Sequence, residues 1–571
     1  LPGSPPLSPL TGNLAQLFDP KGLAFHLTLC EVYGGAVRVY GFLPVLGLVG
    51  GEGEVYVSDP RAISAILGKE GECFDETGVF LECNKIIFGP GLVSTTGALH
   101  RRQRKLALPM FSTGRLGAAA GVVGALGRRW LVRVLQDEVI SQRHSCTQGT
   151  LDMSEWTARV SLEAAGRAIL GYSFDPLDSR VANAYTRAIK ELIPTLFSLA
   201  LIRNFAPFLV KLGPPSFRRW VVQRIPSRRV RRVVESSDVM HESAKRILEE
   251  RRAALSMKDG GGDTSKPKDI ISTLLHTNSL CAEEERMSDA ELTGQVTVLV
   301  FGAQDTTGER ACEGVLGTGG NGSVQRKVRA EIKRAWAEGK YHIVTNEEGK
   351  EEKRLDVDVV MGLPWLDAAV KETLRVYPPV PFVRRVCTRD AEVPYTPFIP
   401  PTSPSPGSPP AFTNATEDTP GSSQERREVE FLYIPKGTKL FLSIVGCNRS
   451  KEIWGEDAGV WRPERWLSSS ESSDHVKIPG AWNGMLTFLG GGRSCVGSRF
   501  AIMEMKIILA TVLSKMYFKP TDDEVVWNLS QIISPSIVHR HRKSSNGKEV
   551  EEVTEKGLPL VAVLDDLTVG V

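Results

Sequence analysis

The chain has 571 residues, 41% apolar and 24% charged, with a net charge of +3. That is enough chain to bury a large core and enclose a bulky cofactor, and a charge so near balance gives no electrostatic footprint for nucleic acid. The cysteines number nine; an odd count, scattered spacing and no C-x-x-C pair argue against a structural zinc site, a thioredoxin-like motif and a disulfide framework.

Leu1-Pro2-Gly3-Ser4-Pro5-Pro6 opens the chain as a rigid proline-rich stretch, and residues 1–30 are expected to form a linker behind a trimmed anchor. Ala36 to Tyr40 and Glu54 to Val57 have β character. Asp59 and Pro60 then start a helix that runs to about Leu67, each at a position where it is favoured. Thr77 to Leu99 reads as loop, and His100 to Ser256 as mostly helical. Leu192 to Ile202 is the nearest candidate for a membrane span, but it is too short and contains Pro194. Arg219 to Arg232 is basic; it is either a solvated face or a contact for an anionic membrane surface. Lys258 to Lys268 is a Gly/Asp/Lys loop.

Met287 to Arg310 is a long buried helix candidate. Ser288 and Glu291 form a capping box at its start. Within it, Gly302-Ala303-Gln304-Asp305-Thr306-Thr307 places an acid beside an alcohol, which helix propensity alone disfavours. A threonine there can bond back to an earlier carbonyl and open the helix locally. Gly308 to Gly322 holds six glycines, each costing about 1 kcal/mol in a helix, so the helix is expected to end early. The G-x-G-x-x-G match at Gly317, Gly319 and Gly322 follows a helix rather than a strand, so it is not a dinucleotide site.

Glu372 and Arg375 share one helix face, a pair common on surfaces. Pro397 to Ser423 is a Pro/Ser/Thr/Gly-rich insertion without the apolar content to fold alone, and residues 541–556 form a second polar insertion. Phe488-Leu489-Gly490-Gly491-Gly492-Arg493-Ser494-Cys495-Val496-Gly497 precedes a helix from Ser498 to about Met516. Its glycines allow close approach to a flat ligand. Cys495 stands before a helix N-terminus, where free N–H groups favour a thiolate. Arg493 adds positive charge, and Phe488 can shield the sulfur. The competing reading is a glycine-rich turn around an idle buried cysteine.

This last segment resembles the haem-binding signature of the cytochrome P-450 family, F-x-x-G-x-R-x-C-x-G, at every fixed position, Gly497 included. Glu372 and Arg375 match the family's E-x-x-R, and Arg465 in Trp461-Arg462-Pro463-Glu464-Arg465-Trp466 matches its later arginine. Asp305-Thr306 matches the oxygen-side motif, with Ala303 where glycine is usual. The landmarks occur in the family's order, and the resemblance spans about Val32 to Val563.

The resemblance implies a mainly α fold with small β-sheets in a single catalytic domain over residues 31–571, with haem b between the long helix and the cysteine loop. It makes Cys495 the iron ligand, favouring O–O cleavage. Arg493, His100, Arg104 and Arg385 (Arg384 next) become haem-propionate partners. Asp305 and Thr306 become proton donors, and Glu372, Arg375 and Arg465 a buried ionic support. The implied reaction inserts one atom of O2 into a lipophilic substrate. Electrons come from NADPH through a separate cytochrome reductase, with cytochrome b5 a second donor, at the cytosolic face of the endoplasmic reticulum membrane. The insertions suit a fungal sequence. Alternatives are an inactive haem-binding protein, motivated by the glycine-rich stretch, and a same-fold isomerase, dehydratase or peroxide-driven enzyme. Phe80 to Phe88, the Phe197 region and Val380 to Val383 are the expected pocket contributors.

Overall fold

The computed structural model describes all residues except 43–52, 128–131, 142–147, 175–183, 260–268, 346–350, 398–428, 468–480, 530–531, 543–549 and 566–571. The Pro397–Ser423 insertion therefore lies almost wholly outside the described residues, as does most of the Lys258–Lys268 loop. Helices dominate, and the strands gather into small sheets. The chain has the mainly α architecture expected of it.

The largest sheet has five strands. Ala36–Val39 lies at one edge, then Glu54–Val57, Lys439–Ser443, Phe382–Cys387 and the short Phe74–Asp75. Its register sets Arg385 opposite Leu440 and Asp75 opposite Val386. Asp59 caps the helix Pro60–Gly68 by accepting from Ala62 N–H at 2.8 Å.

Four readings are corrected. Thr77 to Leu99 is not loop but chiefly the helix Gly78–Phe88, followed by a short 3-10 turn. Thr77 caps that helix through Phe80 N–H, and Gly89, at φ +85°, ends it. Residues 1–30 are not all linker: the helices Leu14–Leu17 and Leu23–Tyr33 bury Leu14, Leu17 and Leu29 against Tyr56 and Phe441. His26 locks them in place, one ring nitrogen 2.9 Å from Tyr56 Oη and the other 3.0 Å from Leu17 O. Residues 541–556 are not a plain insertion either. Val550–Lys556 pairs antiparallel with Ile533–Arg542, helped by the cross-strand pair Arg540–Glu552 at 3.2 Å.

The fourth correction concerns the glycine-rich stretch. The long helix does not stop near Gly308 but runs over Asp289–Gly320, and Gly322–Ala337 follows after Asn321. The glycines are contact points. A Cβ on Gly308 would stand 2.8 Å from the Ala158 backbone, one on Gly317 2.6 Å from the Trp461 ring, and one on Gly314 3.0 Å from Leu509. Close packing against three neighbours offsets the propensity cost. The break comes at Asn321, whose side chain caps the next helix through Val324 N–H.

Candidate active site

The helix Pro364–Val376 holds Glu372 and Arg375 on its buried face, both side chains fully enclosed. Arg375 donates to both Glu372 oxygens, Nε at 2.9 Å and Nη2 at 2.8 Å. Arg465 Nε adds 2.9 Å to Oε1, Arg462 N–H 2.8 Å, and Trp466 Nε1 2.9 Å to Oε2. A charge this deep is stable only when its lone pairs are filled, and five donors fill them. Asn448 carries the support onward. Its carbonyl accepts from Arg375, and its side chain accepts from Leu486 N–H at 2.8 Å and donates to Thr487 Oγ1 at 2.9 Å. Thr487 is next to Phe488, so the ionic cluster fixes the entry to the cysteine loop. Asn448, Thr487 and Trp466 were not anticipated; only Trp466, beside Arg465, gave a hint.

Within the loop, Leu489 takes φ +55° and Gly491 φ +67°. Cys495 N–H donates to Phe488 O at 2.9 Å, closing the loop on itself. Cys495 is exposed, yet desolvation dominates its titration. These two facts agree if the sulfur faces an enclosed hollow rather than bulk solvent. Burial pushes the thiol up, while the Gly497 N–H, Arg104 and the Ser498 N–H pull it down. The helix Ser498–Leu513 begins directly afterwards.

The other side of the site is the long helix. Gly302 is exposed in the middle of a helix buried over most of its length, with no atom within 4 Å of where a Cβ would stand. Thr306 is half-buried and donates back to Gly302 O, the back-bond expected of a threonine there, while the helix stays continuous. Asp305 lies in the helix backbone; its side chain is outside the described residues. Phe88 packs against Phe301 with ring centroids 4.7 Å apart.

The basic side chains gather at one edge of the cysteine loop. Arg104 donates to Ser494 O and Ser494 Oγ, each at 2.7 Å. Arg493 donates to Thr95 O at 2.9 Å and reaches Asp75 Oδ1 at 3.3 Å. His100 is buried and its pKa falls to about 4, first through burial and then through Arg493 and Arg104, which keeps it neutral. Arg385 is placed here too, but against Glu70 and Glu76, acids that sequence reasoning did not connect with it. Val380 and Val383 are half-buried as pocket contributors should be. Phe197 is not: it is buried against Phe18, ring centroids 6.1 Å apart.

These residues fit a haem. An open space on the long helix, a reachable thiol with backbone donors, and a cluster of cationic side chains for two carboxylates are what the group requires. A groove of about 1110 Å³ between the helices Thr113–Leu126 and Ser498–Leu513 is lined by neither Cys495 nor Thr306, so it is not this site.

A mainly α fold with a thiol in a glycine-rich loop ahead of one helix and an alcohol at an open point of the long helix is the pattern of a haem-thiolate oxygenase. The comparisons agree. The family model for cytochrome P-450 matches residues 2–401 and 425–538. Cytochrome P-450 monooxygenase 91 of Postia placenta is 34% identical over 540 residues, covering 94% of this chain and 91% of the relative. A ganoderic acid synthetase of Ganoderma lucidum is 30% identical over 543 residues, covering 94% and 90%. A monooxygenase of Hericium erinaceus is also 30% identical, covering 94% and 91%. The chain belongs to the cytochrome P-450 family and is a fungal haem-thiolate monooxygenase.

Proposed function

We propose that the protein inserts one oxygen atom from O2 into a lipophilic organic substrate, with Cys495 as the haem ligand and NADPH electrons delivered by a separate cytochrome reductase, cytochrome b5 being a second donor. The observation that carries this reading is Thr306, a hydroxyl on the helix face left open at Gly302. Haem, when bound, supplies an iron able to bind and split dioxygen. The chain's own residues do the rest. The Gly497 and Ser498 N–H groups offset part of the cost of charging the buried Cys495 sulfur, and Phe488 screens it from water. Thr306 Oγ1 holds a proton at the open face, and Asp305 passes protons to it. Arg104, Arg493 and the neutral His100 orient the propionate edge. The alternative of an inactive protein rested on an early end to the long helix, and that helix is continuous to Gly320.

A membrane-surface location is part of the proposal. No single helix among the described residues is long and apolar enough to cross a membrane. Phe205, Phe208, Leu212 and Trp220 nevertheless stand exposed together with arginines, Phe208 by 69%. Phe42 packs on Phe205 at 5.5 Å, joining the N-terminal region to this patch. An apolar patch with a basic rim suits the cytosolic face of the endoplasmic reticulum.

Purified protein with a fungal reductase, NADPH and 18O2 should place one labelled atom in the product of a lipophilic substrate. Label found only in water and peroxide, across a panel of such substrates, would count against the oxygenase reading. Phosphatidylserine vesicles should bind the protein and release Phe208→Glu; equal binding of both would remove the membrane face.

A further inference from the structure

The segment after the helix Pro60–Gly68 brings three acids, Glu70, Asp75 and Glu76, to the arginines at the edge of the site. The Arg385 side chain is 1% exposed, Glu70 6% and Glu76 8%. Arg385 Nε donates to Glu70 Oε1 at 2.7 Å, its Nη2 lies 2.6 Å from the same oxygen, and its Nη1 lies 3.1 Å from Glu76 Oε1. The other Glu70 oxygen has no hydrogen-bond partner. It faces the cysteine loop, where a Cβ on Gly491 would stand 3.4 Å away. An arginine reserved for a propionate needs no carboxylates of its own, and burying two of them is costly unless they serve a purpose.

We propose that Glu70 and Glu76 are a built-in counter-charge at the haem edge that lowers the reduction potential of the iron. This rests on haem binding at Cys495. Ferric haem carries one more positive charge than ferrous, so a nearby carboxylate favours the ferric form, and weak screening in the interior magnifies the effect. Glu72 lies in the same segment but is 71% exposed beside Arg389, where solvent and salt cancel most of its field. The other charged groups facing the pair are Asp75, Arg104, Arg385 and Arg493. Burial raises the Glu76 pKa, with Arg385 and Arg493 opposing. Its share of the effect therefore grows as pH rises. Glu70 and Glu76 act through charge on the iron and are positioning residues, not catalytic ones.

The test is spectroelectrochemical titration of the ferric/ferrous couple in haem-loaded wild type, Glu70→Gln, Glu76→Gln and Glu72→Gln, at neutral and alkaline pH. Glu70→Gln should raise the ferrous-to-ferric ratio at fixed potential about tenfold, a shift of about 59 mV for one electron. Glu76→Gln should shift the couple more at alkaline than at neutral pH, and Glu72→Gln should leave it in place. Midpoints for Glu70→Gln and Glu76→Gln that match Glu72→Gln overturn the inference. If Glu70→Gln does not retain haem, Glu76→Gln at alkaline pH decides alone. A wild type without a red-shifted CO band is a different failure, that of the haem-thiolate reading itself.

Discussion

Gly308 lies where the long helix crosses the helix Met153–Ala165, and replacing it with alanine tests that crossing. The added Cβ would stand 2.8 Å from Ala158 Cα and 3.1 Å from both Ala158 N and Thr157 O. Carbon atoms settle about 3.5–4.0 Å apart, so the helices must separate by about 1 Å. All three obstructing atoms are backbone, and none can rotate away. Overpacking of this kind costs about 1–3 kcal/mol, against about 1 kcal/mol gained from alanine's helix propensity. Gly308→Ala should therefore lose up to about 2 kcal/mol net. Gly320, in the same helix, has nothing within 4 Å of its Cβ position, so Gly320→Ala should gain about 0.4–1 kcal/mol. Urea unfolding of the haem-loaded protein, followed by far-ultraviolet circular dichroism, reads both. A Gly308→Ala protein stabilised as much as Gly320→Ala would refute the close crossing.

Glu372→Gln strips the charge that balances Arg375 and Arg465, leaving buried cations unpaired at a cost of about 3–5 kcal/mol. It should cut haem retention and thermal stability together; unchanged retention would detach the ionic cluster from the cysteine loop. Glu504, in the helix Ser498–Leu513, is fully buried, and burial, opposed only by the Ser161 hydroxyl, lifts its pKa from 4.5 to about 8. Between those values the unfolded chain releases the proton while the folded one keeps it, so stability falls as pH rises through that window. Glu504→Gln should flatten this slope in unfolding measured from pH 5 to 8.5, and an unaltered slope would show that the fall has another source.

The site was legible where its chemistry is local. The cysteine loop, the capping box at Ser288 and the pairing of Glu372 with Arg375 each sit within ten neighbouring residues, so spacing alone exposes them. What lay hidden depends on contacts between distant parts of the chain. The glycines from Gly308 to Gly319 read as a helix breaker because propensity is intrinsic to a residue, whereas Ala158, Leu509 and Trp461 are supplied only by the fold. The same holds for Lys556, a charged residue in a polar stretch whose amine pairs with Glu309 of the long helix at 2.6 Å. Glu70 and Glu76 carried no signal in the sequence, because Arg385 is brought to them only by the fold. Leu14 and Leu17 were obscured by the prolines in front of them.

The central claim is that Cys495 binds haem iron through its sulfur. Reducing the purified protein, adding CO and recording the difference spectrum tests it most directly. The wild type should show the strongly red-shifted Soret band of a thiolate-ligated haem, and Cys495→Ser should lose it. A wild type without the band, or a Cys495→Ser protein that retains it, would contradict the assignment.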